Sequence, residues 1–478
     1  MKRLLVIAGL ISACLISNTS RGPACLGQEI PLKETGAASG LAAKSTQVDG
    51  LLSPFNQPQT PGVAILVIQD GRIVHHKGYG LARLDTKEPI GPDTAFDLAS
   101  MSKQFTAMAV MILAERGKLN YDDALSKFFP DFPNAQKVTI RNLLTHTSGL
   151  VDVISAKWFR QGYEPTSREV AKLFTQEPKL KAGPGERFEY NNAGYVLLAL
   201  IVEKVSGQSF PTFMQQKIFK PLGMNHSLIW NETRPKIEHL ALSYAPMDNS
   251  FKSIAFASDN FLYGPKGVIT TTEDLSKWNE ALDSEKLVKT ATLRLAFAPM
   301  KLNDGSESPY GFGWGIAKDN GLLIIEHPGG YLGYRTDIRR YPGQRTTIIV
   351  LSNNAQVDGA ALAKSIGHIY LSDKMVAPAA KVKLDPGILA GYVGNYEGDS
   401  TAMPNLIIEI SFENGELYIT SPLRPKSKLL AQSATEFIVG ETSATATFTK
   451  DEKGNVVGLA LKTRMGVINA RRRPKPGP

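Results

Sequence analysis

Cysteine is scarce in this chain, which has 478 residues and two cysteines. Both of them, Cys14 and Cys25, lie near the N-terminus, so the remainder of the chain holds no disulfide, no thiol nucleophile and no cysteine-based metal site. The histidines lack the spacing of metal ligands. The sequence therefore predicts a body that is stabilised by packing, with no metal and no cofactor.

A concentrated excess of charge of one sign is also lacking. The 54 lysines and arginines exceed the 45 acidic residues by a formal charge of +9, and three of these positive charges stand together at Arg471–Arg473. A nucleic-acid surface requires a basic stripe interleaved with aromatic residues, so we expect no nucleic-acid partner. With 42% hydrophobic and 21% charged residues, the composition is that of a globular protein and excludes a disordered tail or scaffold.

The apolar run near the N-terminus is too short to span a membrane. It extends from Leu4 to Ile16, against the about 20 residues that a membrane-spanning helix needs, and it follows the cations Lys2 and Arg3. This pattern predicts an export signal over residues 1–27 and no transmembrane helix, with lipidation of Cys14 as an alternative. We expect the protein in the bacterial periplasm, secreted, or lipid-anchored at the cell envelope.

Hydrophobic periodicity divides the rest of the chain into two textures. Residues 48–375 begin with a strand hairpin around Asp70-Gly71, continue through helical patterns and return to strand runs such as Thr346–Leu351. A linker at 376–383 leads to residues 384–478, where short alternating strands predict an antiparallel sandwich or barrel. The pattern thus predicts an α/β (α+β) domain followed by an all-β domain.

Ser100-Met101-Ser102-Lys103 is the only Ser-x-x-Lys in the chain, and it directly precedes a helical pattern that begins at Gln104. A serine at a helix start meets the positive end of the helix dipole, and a lysine three residues later lies one turn away on the same face. This geometry can activate a hydroxyl nucleophile. An isolated match is more often a capping serine beside a solvated lysine, so further motifs must decide.

The first further motif is Tyr190-Asn191-Asn192, the only Tyr-x-Asn, which lies between a Pro-Gly loop and a helical pattern. The phenolate of Tyr190 could accept the serine proton if a neighbouring cation such as Lys103 lowered its pKa. Asn192 could offer its amide to a substrate carbonyl. Taken alone, Tyr190 would be interpreted as a packed residue with a bonded hydroxyl.

The second further motif is His327-Pro328-Gly329-Gly330, which immediately follows an apolar strand ending at Ile325. The glycines would let a substrate approach the backbone closely. Together with Tyr190-Asn191-Asn192, this motif argues against the capping interpretation of Ser100.

Two other side chains have ordinary structural interpretations. His146, in a Thr-His-Thr turn, is expected to be bonded locally. Trp314 is expected to lie in the core, with a position in the wall of a cleft as the alternative.

The three motifs resemble those of the penicillin-recognising serine hydrolases, the family of class C β-lactamases, D,D-peptidases, D-aminopeptidases and related esterases. The resemblance covers about Val48 to Asp373, with Leu144–Leu150 and Gly264–Trp278 as similar connecting segments. It implies a three-layer α/β/α domain around an antiparallel sheet, with an inserted helical domain and the site between them. The segment Leu389–Glu397 resembles the small lipocalin-like barrels that follow this domain in some members.

For individual residues, the resemblance implies an acyl-transfer site. Ser100 would be the acylated nucleophile, Lys103 its activating partner, and Tyr190 the proton shuttle, first as base and then as acid. The backbone N–H groups of Ser100 and Gly330 would form the oxyanion hole. The implied substrate-binding residues are Asn192, His327, Gly329 and Gly330.

One departure from the class C pattern narrows the predicted function. Those enzymes have Lys-Thr-Gly where this chain has His327-Pro328-Gly329, so the cation that helps to capture a β-lactam carboxylate is missing. We therefore predict an exported serine hydrolase that acts on amides or esters, such as D-amino-acid peptides or small esters. The alternatives are a true β-lactamase and a low-turnover binding or sensor protein of the same fold. The expected partner is a small molecule or short peptide, and the oligomeric state stays open.

Overall fold

The structure is a computed structural model, and it describes most of the chain from residue 36 onward. The described ranges are 36–154, 165–177, 179–233, 235–248, 250–254, 261–376, 382, 384–398, 406–422, 424–440, 444–463 and 466–474. The predicted export signal with Cys14, and most of the predicted linker at 376–383, lie outside them. None of the helices within these ranges is both long and apolar enough to cross a bilayer.

The chain divides into two compact units, residues 1–42 and residues 43–478. In the first, the described residues 36–42 are helical. The described helices are α1 (Gly36–Leu52), α2 (Lys103–Glu115), α3 (Ile140–Leu144), α4 (Ser167–Thr175), α5 (Asn192–Ser206), α6 (Phe210–Met214), α7 (Lys220–Leu222), α8 (Thr272–Ala281), α9 (Thr290–Ala296), α10 (Gly359–Leu371) and α11 (Pro386–Ala390). The described strands are β1 (Val63–Gln69), β2 (Arg72–Tyr79), β3 (Leu81–Arg83), β4 (Glu88–Pro89), β5 (Phe96–Asp97), β6 (Leu228–Ile229), β7 (Tyr244–Met247), β8 (Ser250–Ser253), β9 (Val268–Thr270), β10 (Gly315–Asp319), β11 (Leu322–Tyr331), β12 (Tyr334–Tyr341), β13 (Thr346–Ser352), β14 (Gly394–Gly398), β15 (Ile407–Glu413), β16 (Glu416–Ser421), β17 (Arg424–Ala431), β18 (Glu436–Val439), β19 (Thr445–Lys450), β20 (Val456–Thr463) and β21 (Gly466–Arg472).

The central sheet has six strands in the order β10-β11-β12-β13-β1-β2, and every neighbouring pair is antiparallel. The predicted hairpin is confirmed, because β1 and β2 are joined by Asp70 and Gly71 with φ values of +50° and +76°. Positive φ at both turn positions matches the right-handed twist of the two strands. Strands from both ends of the domain therefore meet in one sheet, with β1 paired to β13.

Helices cover both faces of this sheet. Arg340 and Tyr341 are adjacent on β12, so their side chains point to opposite faces. Arg340 Nε donates to Asn279 Oδ1 of α8 at 3.0 Å, whereas the Tyr341 hydroxyl lies against Gly367 of α10, where an added Cβ would stand 2.5 Å from it. The predicted three-layer α/β/α arrangement around an antiparallel sheet is confirmed.

The inserted helical region packs around α2. Residues Lys103–Leu113 of this helix are all buried, because strong helix formers and apolar side chains occupy every face. Phe105 stacks on Trp278 of α8 with ring centroids 4.1 Å apart. Trp314 is 2% exposed, which confirms its predicted place in the core. The long buried helix holds the residues at its N-terminus in a fixed position.

The C-terminal strands form a closed antiparallel barrel, β14 through β21 in sequence order. The hairpin turn at Asn414-Gly415 has φ values of +49° and +82°, as an Asn-Gly turn favours. Of the two predicted architectures, sandwich and barrel, the barrel is confirmed. Its interior is filled by buried side chains, among them Tyr392, Tyr396, Phe437 and Phe448.

Candidate active site

Ser100 lies in a single turn of 3-10 helix, Ala99–Ser102, that leads directly into α2. Ala99 has a φ of +50°, a left-handed conformation that alanine rarely adopts, and its N–H donates to Asp97 Oδ1 at 2.7 Å. Ser102 Oγ accepts from the Val268 N–H at 3.1 Å. The turn is therefore fixed on both sides of Ser100, whose own side chain stays partly exposed in the cleft.

Lys103 is fully buried and its amine reaches Ser100. Nζ lies 3.1 Å from Ser100 Oγ, 2.9 Å from Asn192 Oδ1 and 3.1 Å from the carbonyl oxygen of Pro265. Burial holds the pKa of the Lys103 ammonium well below its usual range, against an opposing effect of the Asp152 charge. Nζ donates to all three oxygens, so the amine is held between the serine hydroxyl and two carbonyl groups.

Tyr190 is hydrogen-bonded to Ser100 and lies beside Lys103, whose Nζ is 4.7 Å from the centre of the phenol ring. Burial and the nearby Asp152 charge raise the pKa of the phenol, although the bond to Ser100 opposes this. The expectation of a Tyr190 pKa lowered by Lys103 is therefore wrong. The raised pKa keeps the Tyr190 hydroxyl protonated, so it can donate a proton.

Asp152, which the sequence analysis missed, positions Asn192. Its Oδ2 accepts from the backbone N–H of Asn192 at 3.1 Å and lies 3.4 Å from Asn192 Nδ2, and its Oδ1 accepts from the Ala193 N–H at 3.3 Å. The carboxylate thus satisfies N–H groups at the start of α5, where negative charge is favourable. With its amide nitrogen turned toward Asp152, Asn192 presents its oxygen to Lys103.

His146 is a buried member of the site, and the prediction of a locally bonded turn histidine is wrong. Its Nδ1 accepts from the backbone N–H of Asn191, 45 residues away, at 3.1 Å. Its ring packs against those of Tyr190, Tyr195 and Tyr310 at centroid distances of 4.3, 5.0 and 4.6 Å. Burial keeps the pKa of the imidazole well below its usual range. Nε2 has no hydrogen-bond partner among the described residues, so His146 supports the Tyr190 ring by packing.

His327 lies on β11 at the opposite wall of the cleft, as predicted, but it is only 2% exposed. Its Nδ1 is 2.7 Å from the Pro328 carbonyl oxygen, which can only accept, so Nδ1 carries the proton. Nε2 then accepts from the Tyr310 hydroxyl at 2.7 Å. Both described contacts are made within the protein, so His327 shapes the wall.

Gly329 allows β11 to lie directly against the turn that carries Ser100. An added Cβ at this position would stand 2.2 Å from the Leu98 carbonyl oxygen and 2.2 Å from Thr336 Oγ1. Thr336 Oγ1 itself donates to the Leu98 carbonyl at 2.8 Å, which joins β12 to the same turn. Gly330, the next residue, is exposed and has open space on its Cα. At Gly329 the close neighbour is thus the turn that carries Ser100, and the approach of a substrate to the glycines stays a prediction.

Ser100, Tyr190, Asn192, His327, Gly329 and Gly330 all line one cleft of about 1390 Å³. Lys103 stands behind them, and the structure brings together every site residue that the sequence predicted. The cleft wall also includes residues of β17 to β21, from the barrel. In the described ranges, no group of three or more histidine, cysteine or acidic side chains is arranged to hold a metal ion.

Arg335 places a cation beside Gly330, and the sequence analysis missed it. The two residues are paired across β11 and β12, and the guanidinium Nη1 would lie 3.9 Å from a Cβ on Gly330. Nη1 donates to the carbonyl oxygens of Leu332 and Tyr334 at 2.9 and 2.8 Å. Arg335 lines the cleft, so a cation stands on the strand next to that of His327, the position where the class C pattern has lysine.

The family model described as Beta-lactamase matches residues 48–370. The chain belongs to the beta-lactamase family of serine hydrolases. It is 34% identical over 412 residues to penicillin-binding protein 4* of Bacillus subtilis, a match that covers 81% of this chain and 90% of that protein. The family assignment therefore agrees with the resemblance predicted from the motifs.

Solved structures show the same fold. The octameric penicillin-binding protein homologue from Pyrococcus abyssi matches with a TM-score of 0.61 and 24% identity, over 91% of this chain and all of that one. The D-amino acid amidase from Ochrobactrum anthropi matches with a TM-score of 0.57 and 20% identity, over 70% of this chain and 99% of that one. The match to the Pyrococcus abyssi protein covers so much of this chain that it includes residues of both the sheet domain and the barrel.

Proposed function

We propose that this family member is an exported hydrolase that forms an acyl-enzyme on Ser100 and acts on amides or esters, with D-amino-acid peptides or small esters as substrates. The observation that carries the proposal is the buried Lys103 amine, 3.1 Å from Ser100 Oγ and surrounded by two carbonyl oxygens. A lysine kept neutral by burial can accept a proton at neutral pH.

In the acylation step, Ser100 Oγ attacks the substrate carbonyl carbon while its proton passes to Lys103 Nζ. The new O–C bond leaves a negative charge on the carbonyl oxygen. The backbone N–H groups of Ser100 and Gly330 bind this oxyanion, and each donor lowers the activation free energy by about 3 kcal/mol.

The leaving group then departs with a proton from Tyr190, whose raised pKa keeps the phenol protonated, and the proton that Lys103 accepted passes to the phenolate, so that both groups are neutral again. In deacylation, water attacks the acyl carbon while one of its protons passes to Lys103 Nζ, the bond to Ser100 Oγ breaks, and Oγ takes a proton from Tyr190, which Lys103 again replaces. Asn192 orients the substrate carbonyl. The reaction is complete within the chain's own residues.

The substrate class is supported by two findings. A D-amino acid amidase shares the fold, and its name points to D-amino-acid substrates. Arg335 beside Gly330 is suited to a substrate carboxylate, because a guanidinium binds carboxylates with two parallel hydrogen bonds. A peptide that ends in a D-amino acid satisfies both.

Labelling with a fluorophosphonate probe tests the nucleophile. We expect the wild-type protein to be labelled at Ser100 and to hydrolyse p-nitrophenyl acetate, and Ser100→Ala to lose both. Ser250→Ala, a change of an exposed serine on β8, is the control and should behave as wild type. Equal labelling or turnover in Ser100→Ala would overturn the assignment.

Intact mass after incubation with benzylpenicillin distinguishes the substrate classes. A persistent adduct that is absent from Ser100→Ala would support peptide-type recognition. Rapid destruction of the drug would favour the true β-lactamase, and labelling without any ester or amide turnover would favour the sensor protein.

Export is supported by the N-terminal pattern of Lys2, Arg3 and the apolar run to Ile16. We expect the protein in the envelope or medium to lack the signal segment, or to start at a lipidated Cys14. The N-terminal sequence of the mature protein is the measurement, and an intact Met1 in the cytoplasmic fraction would contradict the proposal.

A further inference from the structure

Aromatic side chains pack together inside the barrel. Tyr392 and Phe448 pack with ring centroids 4.3 Å apart, and Phe437 lies 5.5 Å from both of these rings. The Tyr392 hydroxyl also donates to the Ala434 carbonyl oxygen. These aromatic side chains fill this part of the barrel interior, so the surface that the barrel offers to the cleft is its outer one.

One part of that outer surface lines the cleft that contains Ser100. We call it the barrel patch. Its members are Ser427, Glu436, Thr445, Thr447, Ala460, Lys462, Thr463 and Val467.

The barrel patch is continuous across neighbouring strands. Thr447 of β19 pairs with Glu436 of β18 and with Ala460 of β20. Two residues further along, Lys462 of β20 pairs with Thr445 and with Val467. 

The intervening residues Ala446, Phe448 and Leu461 are buried in the barrel. Side chains alternate between the two faces of a strand, so the patch residues form two rows on the outside.

The patch faces the catalytic residues. An added Cβ on Gly466, next to Val467, would lie 3.8 Å from the carbonyl oxygen of Phe188, two residues before Tyr190. The barrel therefore approaches the loop that carries Tyr190, and the cleft lies between the patch and the β11 wall.

The charges around the cleft favour an anionic ligand. Its cations are Lys266, Arg335 and Lys462, and its acids are Glu326, Asp358 and Glu436. Glu326 is ion-paired with the buried Arg339 at 2.7 Å, and Asp358 accepts from the Ala361 N–H as the cap of α10 at 3.0 Å. With Glu326 paired to Arg339, the lining keeps three cations against two acids, and Lys462 and Glu436 are both exposed on the barrel patch.

We propose that the barrel patch is the distal wall of the substrate site and that Lys462 selects peptides with an acidic residue several positions from the bond cleaved at Ser100. This inference rests on the proposed function and adds the substrate class that the same site prefers. A short ester fills only the region around Ser100, whereas an extended acidic peptide also reaches the patch.

The test compares three substrates of the full-length protein. They are p-nitrophenyl acetate and the p-nitroanilides of Glu-Gly-Gly-D-Ala and Lys-Gly-Gly-D-Ala. For the wild type, we expect kcat/KM to be about fivefold higher for the Glu peptide than for the Lys peptide at low salt, as one partly screened charge contact allows. The preference should decline at 0.5 M salt, because the contact is exposed.

Lys462→Glu should reverse the preference between the two peptides, chiefly through KM. Lys453→Glu reverses a charge on the β19–β20 turn, outside the patch, and should keep the wild-type ratio. Comparable melting temperatures show that both variants are folded.

An unchanged peptide ratio in Lys462→Glu would overturn the role of the patch, and so would a wild type that cleaves the acetate and neither peptide. A wild type that cleaves none of the three substrates would instead refute the proposed hydrolase function.

Discussion

Gly329→Ala should separate the Ser100 turn from β11 and so impair catalysis, although it adds only a methyl group and leaves every reacting side chain in place. The added methyl would stand 2.2 Å from the Leu98 carbonyl oxygen and 2.2 Å from Thr336 Oγ1. A carbon–oxygen contact needs about 3.3 Å, so backbone must move by about 1 Å. A misplacement of this size costs about 100-fold in rate, which corresponds to about 2.7 kcal/mol of transition-state stabilisation.

The assay is kcat/KM for p-nitrophenyl acetate together with the rate of fluorophosphonate labelling, and circular dichroism with the melting temperature establishes that the variant is folded. Gly343→Ala is the packing control, because Gly343 is exposed in the turn after β12 and its added methyl would enter open space. We expect it to keep the wild-type melting temperature and to lose far less activity. Wild-type activity in a folded Gly329→Ala protein would refute the reasoning that contact between β11 and the turn positions Ser100.

Three further predictions follow from the charged groups. Because burial lowers the pKa of Lys103, the acylation rate should rise with pH through that lowered pKa and level off at a pH well below the usual pKa of a lysine, and Lys103→Arg, charged at every pH, should abolish labelling. Arg335→Ala should slow acylation by p-nitrophenyl esters of succinate about tenfold more than by those of acetate, and equal effects would exclude a carboxylate contact. Burial alone would raise the pKa of Asp319, but bonds from His368 and Tyr341 lower it overall, so its carboxylate stabilises the fold above about pH 4 and this is lost as pH falls further. Asp319→Asn should therefore cost about 2 kcal/mol in urea unfolding at pH 7 and much less at pH 3.

The fold was largely predictable because local signals agree with tertiary structure. Asp70-Gly71 and Asn414-Gly415 supply the positive φ values that tight hairpins need, and the apolar run after Lys103 forms a helix buried on all sides. Helix α1 received no prediction, since the glycines and serines of Gly36–Leu52 lower intrinsic helix propensity. The distinction between a sandwich and a barrel required the pairing of β14 with β21, which no local pattern encodes.

The site was predictable only where a motif is continuous in sequence. Ser100 and Lys103 lie one helical turn apart, so spacing alone brings them together. Asp152 and Arg335 reach the site through tertiary contacts, at the start of α5 and across β11, and no spacing rule connects them with Ser100. The Thr-Ser-Gly sequence that follows His146 predicts a turn there. The burial of His146 against three tyrosine rings depends on the fold and could not be predicted from that sequence.

The proposed roles of Lys103 as base and Tyr190 as acid have one physical origin. In water the two side chains have nearly equal pKa values, about 10.4 for lysine and about 10 for tyrosine. Burial disfavours whichever form is charged, so it lowers the pKa of Lys103 and raises that of Tyr190. In the proposed mechanism, the same desolvation suits the lysine to act as base and the tyrosine as acid, and Asp152 reinforces the tyrosine shift while it limits that of the lysine. Opening the site to water should bring the two values together again and remove both roles at once, which is why the buried setting of α2 matters as much as the motif it carries.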